Sequence, residues 1–189
     1  MLLLTLSVWT GSTHAMVVVK RDFPELVARA NQIVIGTVTA ITEGDDATGS
    51  PSTFVTFSDL SVLKGDVGSE LTLRFAGGGS GRYAVRIPDL PTFVVGERAL
   101  LFVAGNGRDI CPLVGVWQGR FRVRYDADLG LEVVDGHDGR PVRGVQRGEV
   151  QLAEPGTGGG GAAPLTLDAF RQLIADQLAA PQPSARSVP

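Results

Sequence analysis

The chain carries two histidines, His14 and His137, and one cysteine, Cys111. General acid–base, nucleophilic and transition-metal chemistry draws mostly on these two residue types. Cys111 and His137 are the pair that would have to serve as nucleophile and base. Cys111 stands before Pro112 at the start of a predicted strand, the ordinary setting of a small buried thiol. His137 sits in the turn Asp135-Gly136-His137-Asp138-Gly139, where a solvated ring is expected. Asp126, Asp128, Glu132, Asp135 and Asp138 are close in sequence. Calcium, however, needs about six to eight converging oxygens. An EF-hand register begun at Asp126 puts His137 where the bidentate glutamate belongs, so turn formation is the expected role of these aspartates. Neither Gly77-Gly78-Gly79-Ser80-Gly81 nor Gly158-Gly159-Gly160-Gly161 has the Gly-x-x-x-x-Gly-Lys-Ser/Thr pattern of a phosphate cradle. The expectation is a chain without catalytic residues, metal ligands or a cofactor. An enzyme working through carboxylates or Cys111 ranks behind the binding roles considered next.

The remaining chemistry is cationic and aromatic. Arg120, Arg122 and Arg124 alternate with Phe121, Val123 and Tyr125, so a strand here puts three guanidinium groups on one face. Trp117 and Tyr83 would supply stacking surfaces, and Arg74 and Arg86 further charge. The candidate binding face is therefore Arg120, Arg122, Arg124, Trp117 and Tyr83. The competing expectation is an exposed sheet face paired with nearby carboxylates. Net charge is −3, which leaves no electrostatic footprint for nucleic acid.

These residues must be positioned by a mainly β scaffold. Asp22 caps a short helix, with Pro24 in its first turn, Glu25 at the capping-box position, and Phe23, Leu26, Val27 and Ala30 on one face. A strand from Ile33 to Ile41 is apolar on both faces and should be central. Gly36 in its middle marks a bulge. Glu43 to Ser52 reads as a polar loop, and Thr53–Leu63 and Glu70–Phe75 as a hairpin with Leu71, Leu73 and Phe75 inward. A short strand over Tyr83–Ile87, a strand from Arg98 to Ala104, and over Leu113–Tyr125 either one long bent strand or two short ones broken at Gln118-Gly119 follow. Leu129–Val134 pairs back, and Pro141–Val145 adds an edge. A helix from Leu167, capped by Thr166, carries the stripe Leu167, Phe170, Leu173, Ile174 and Leu178, which should cover the barrel.

Composition and ends set the frame. The apolar run Leu2–Val8, followed by small residues to Ala15, reads as an export signal over residues 1–15 and implies a secreted or periplasmic protein. No later run is long enough to span a membrane. A lone cysteine forms no internal disulfide, so stability must come from the core, and 43% apolar residues supply one. Residues 16–152 are assigned to one domain, 153–165 to a Gly-rich linker, 166–180 to the terminal helix and 181–189 to a disordered tail.

The order of elements fits a small Greek-key β-barrel of the oligonucleotide/oligosaccharide-binding (OB) type. Ala30–Val38, Val62-Leu63-Lys64-Gly65 and Gly96–Phe102 resemble a family of bacterial secreted domains of unknown function. The same blocks are similar to the netrin-like barrel of the tissue inhibitors of metalloproteinases, a resemblance spanning roughly residues 22–125. It implies a fold and, by analogy, a protease as partner. In those inhibitors an N-terminal cysteine chelates the protease zinc. Here the mature start would be Met16-Val17-Val18-Val19, so that mechanism does not carry over. The function expected is a secreted, non-enzymatic module that binds another protein, such as an exported protease. The alternative is a carbohydrate- or anion-binding barrel using the arginine-lined face.

Overall fold

The first element of the described residues is a capped helix. Asp22 accepts a hydrogen bond from the Glu25 amide at 2.7 Å, and α1 runs Phe23–Arg29. Glu25 does not complete a reciprocal box; its carboxylate lies 3.8 Å from Arg21 and 3.9 Å from Arg29. Lys64 closes the other end by donating to the carbonyls of Val27 and Ala28 at 2.7 and 3.2 Å, satisfying groups a helix C-terminus leaves open. The computed structural model describes residues 19–79, 84–154 and 163–180. The expected export signal, the tail, Tyr83 and most of the linker lie outside these described residues.

Eight strands and two helices make a mainly β, antiparallel fold among the described residues. β1 (Gln32–Asp45), β2 (Pro51–Lys64), β3 (Leu71–Ala76), β4 (Arg98–Val103), β5 (Arg120–Asp126) and β6 (Leu131–Asp135) form one sheet. Its order is β3-β2-β1-β4-β5-β6. β3 and β6 are its ends, and no ladder joins them among the described residues. β7 (Val142–Gln146) and β8 (Glu149–Leu152) make a separate hairpin. β4 and the first half of β1, Ile33 to Val38, are buried on both faces. Ile33, Ile35, Leu100 and Phe102 belong to one core, and Val34, Ala99, Leu101 and Val103 to another. The first core is closed by α1 and by α2 (Leu167–Ala179), whose Phe170 and Ile174 are fully buried. Phe170 lies 5.6 Å from Phe23 and 4.9 Å from Phe121, ring to ring. The terminal helix therefore docks on its own sheet, as the stripe implied.

Gly36 sits at a register shift between β1 and β2. A Cβ there would lie 2.6 Å from Leu60 Cδ2 and 3.2 Å from Phe57 Cβ, so the bulge exists to let β2 approach closely. Three expectations need correction, and a fourth is met in part. The polar loop is only residues 46–50, because backbone pairing carries β1 to Asp45 and starts β2 at Pro51. Asp46 holds the short turn, accepting from the Thr48 and Ser50 amides at 2.8 and 3.0 Å. No strand forms over the described part of Tyr83–Ile87; Val85 makes one isolated bridge, to Gly78. The 113–125 segment is broken at Val116–Gly119, a 3-10 turn that takes in the expected break at Gln118-Gly119; the second strand forms from Arg120, but the first is reduced to a single bridge from Leu113 to Val103. The predicted edge strand at Pro141–Val145 gains a partner, β8, across the two-residue turn Arg147-Gly148, and leaves the main sheet.

Candidate functional site

The arginine stripe alternates as its spacing demands, but its three members meet different fates. Arg120 has a side chain only 6% exposed and ion-pairs with Glu97, itself 7% exposed. The Arg120 guanidinium carbon stands 4.6 Å from the centre of the Phe93 ring, a cation–π arrangement. Arg122 is half-exposed, with a guanidinium nitrogen 3.7 Å from the other Glu97 oxygen. Arg124 donates to Asp135 at 2.8 Å and to Asp126 at 3.0 Å. Partial burial works against the Arg124 charge, yet Asp126 and Asp135 hold it above the ordinary arginine value. Glu132 is spent on Arg98 at 3.2 Å, and Asp138 on Arg140 at 2.6 Å. The face is a network of ion pairs in which carboxylates already occupy the guanidinium groups. Arg74 is engaged elsewhere, by Asp46 at 2.8 Å.

What the Glu97–Arg120 pair positions is a turn. Glu97 N–H donates to the Val94 carbonyl at 2.9 Å, and Gly96 at the third position has φ of +88°. That is the type II geometry a glycine permits without strain. The turn is tied to β1 by two bonds, Gly96 N–H to Val38 O and Val38 N–H to Glu97 O, each 2.8 Å. At its tip Val94 and Val95 are 66% and 59% exposed. The residues just before it, Leu90 to Phe93, line a cavity of about 540 Å³. Ile41, Val55, Phe75 and Val85 contribute its apolar wall. Phe93 is held between Phe57 and Phe75, with ring centres 5.5 and 5.4 Å away. Exposed Val85 lies at the same cavity. Two adjacent exposed valines on a clamped turn beside an apolar hollow were absent from the sequence reading. The signal was Val94-Val95-Gly96-Glu97, an apolar pair placed where a turn residue follows.

Trp117 lies on the 3-10 turn, and its indole stacks on His137 with ring centres 4.0 Å apart and planes inclined by 29°. His137 remains exposed, as the turn implied, with one face of its ring covered by the indole. Desolvation of the ring lowers its pKa, outweighing the pull of Asp138. Cys111 packs in the second core with Val34, Leu101 and Leu113. Burial pushes its thiol up to about 11, so it is protonated at neutral pH and is a poor nucleophile there. Among the sequence-predicted site residues, Arg120 and Trp117 border one further concavity. Arg122 and Arg124 do not line it, and Tyr83 lies outside the described residues. Among the described residues no group of three or more His, Cys, Asp or Glu is placed to hold a metal. Nor is any described helix long and apolar enough to cross a membrane. Compared with protein-family models, curated proteins and solved structures, the chain gives no match.

Proposed function

We propose that the protein is a secreted, non-enzymatic binding module that engages another protein through the Val94–Val95 turn and the apolar cavity beside it. The observation that carries this reading is the rigidity of an exposed apolar tip. Val94 and Val95 face solvent, while the turn under them is fixed by hydrogen bonds to β1 and by the buried Glu97–Arg120 pair. A preformed apolar loop loses little conformational entropy on binding. A cavity floored by Phe75 and Phe93 offers a partner's side chain a place to insert. An exported protease is the partner class that the netrin-like resemblance favours.

The finer fold reading, an OB-like Greek-key barrel, belongs to the same proposal. Its support is the 104–112 loop, which reaches the open edge of β3. The Ala76 amide donates to Ile110 O at 2.8 Å, and the Arg74 amide to Asn106 Oδ1 at 3.0 Å. Secretion rests on the apolar run at Leu2–Val8.

The test is comparative capture from the source organism's secreted fraction, using the immobilised chain and its Val94→Asp/Val95→Asp variant. A stoichiometric protein retained by the first and lost by the second is expected. Equal retention by both would place the interface elsewhere, and retention of nothing above micromolar concentration would remove the reading. The alternative use of Arg120, Arg122 and Arg124 as an anion- or glycan-binding face is disfavoured by the burial of Arg120 on Glu97 and by the two carboxylates that hold Arg124.

A further inference from the structure

The second concavity, of about 250 Å³, is built differently from the first. Its floor is apolar, with Leu26, Phe121, Val150 and Leu152 contributing. Its wall is Trp117, and the backbone that delivers Trp117 is strained. Gly115 and Val116 have φ of +63° and +60°. The left-handed region is open to glycine, but a β-branched residue is seldom found there. Such strain persists only where surrounding structure enforces it, and it concentrates at functional sites. Here the enforcement includes Val116 packing against the second core. Gln118 completes the wall by clamping the N-terminal segment. It accepts from the Arg21 amide at 2.8 Å and donates to the Val19 carbonyl at 2.9 Å.

Charge is concentrated at the same place. The chain is acidic overall, at −3. Yet Lys20, Arg21, Arg120 and Arg140 line this concavity, with Glu149 the one carboxylate among its lining residues; Arg120 is spent on the buried Glu97, and Arg21 lies 3.8 Å from Glu25. The Lys20–Glu149 pair, 2.8 Å long, has side chains 74% and 54% exposed. An exposed pair of this kind is weak and gives way readily to a better-placed acid. Arg140 is 40% exposed and fixed in orientation by Asp138. An apolar slot with an aromatic wall and a cationic rim has a definite complement.

We propose that this concavity binds a small organic anion with a flat apolar body, an aromatic carboxylate. The ring lies on the floor against Trp117, and the carboxylate meets Lys20 and Arg140. The volume lies just below the usual range for ligand sites and matches one ring with a short acid tail. The same chemistry is presented by a free aromatic acid and by a peptide ending in an aromatic residue.

The test uses the full chain carrying Trp9→Phe, in which Trp117 is the only indole. Its emission is followed as 3-phenylpropionate is added. A saturable change is expected, with 3-phenylpropionamide at least tenfold weaker and acetate without effect. Lys20→Gln/Arg140→Gln should weaken 3-phenylpropionate about tenfold or more at unchanged Tm, and Glu149→Gln should tighten it. A Gly-Gly-Phe peptide binding more tightly than 3-phenylpropionate assigns a chain terminus as the ligand; weaker binding assigns a free acid. No saturable change with either acid, equal affinity for acid and amide, or undiminished affinity in the double variant would overturn the proposal.

Discussion

Glu97 and Arg120 are each almost wholly buried, so neither charge can lose its partner cheaply. Breaking such a pair from one side costs about 3–5 kcal/mol, because the remaining charge is stranded. Glu97→Ala should therefore lower stability by that order in a denaturant titration. Replacing both residues, as Glu97→Leu/Arg120→Met, should recover most of it. If Glu97→Ala were silent, the clamp under the Val94–Val95 turn would not exist. His137 makes a pH prediction of definite sign. Desolvation of its ring lowers its folded pKa below the ordinary histidine value, so the unfolded chain binds the proton more readily. The stabilisation is whole above about pH 6.5 and is lost as pH falls through the folded value. Tm should decline below that pH, and His137→Gln should flatten the decline. Asp46, held near 2 chiefly by the Thr48 hydroxyl and the Ser50 and Thr48 amides, acts lower still, between about pH 4 and 2. At this scale the sequence was partly legible. Alternation placed Arg120, Arg122 and Arg124 on one face, and nearby acids hinted at pairing. The depth of Arg120 was not legible, because burial depends on Phe93 and Glu97 arriving from a distant turn.

Among the elements, both helices were readable from caps and stripes. Asp22 and Thr166 cap as their types require, and the apolar positions of each face inward. Phe170 anchors α2 against Phe23 and Phe121, so Phe170→Ala should cost about 3–5 kcal/mol. Gln172→Ala, on the exposed side of the same helix, should stay within about 0.5 kcal/mol. Equal effects, measured by chemical denaturation, would mean that the helix is not docked in solution. Gly36→Ala should destabilise by about 1–3 kcal/mol, since its Cβ meets Leu60 and Phe57. Strand ends were harder to read. The β1–β2 hairpin extends past its core into Glu43, Gly44 and Asp45, where backbone pairing rather than burial maintains the strand. β8 alternates weakly and has no fully buried residue, so only the Arg147-Gly148 turn announced it.

For the whole molecule, the run Ala99–Val103 and the double-sided apolar pattern of Ile33–Ile41 foretold a sheet with central strands. Two cores on opposite faces of β1 and β4 bear that out. Sheet order depends on contacts far apart in sequence, which periodicity does not encode. The same holds for the two concavities, each assembled from segments that are remote in the chain. The central claim is that the clamped Val94–Val95 turn and its cavity receive a protein partner. Amide hydrogen exchange on the chain, alone and with the protein it retains from the secreted fraction, tests this most directly. The account expects partner-dependent slowing at residues 90–97 and at the neighbouring end of β1. Unchanged exchange there, with slowing confined to the Trp117 turn or to the β5 arginine face, would contradict it.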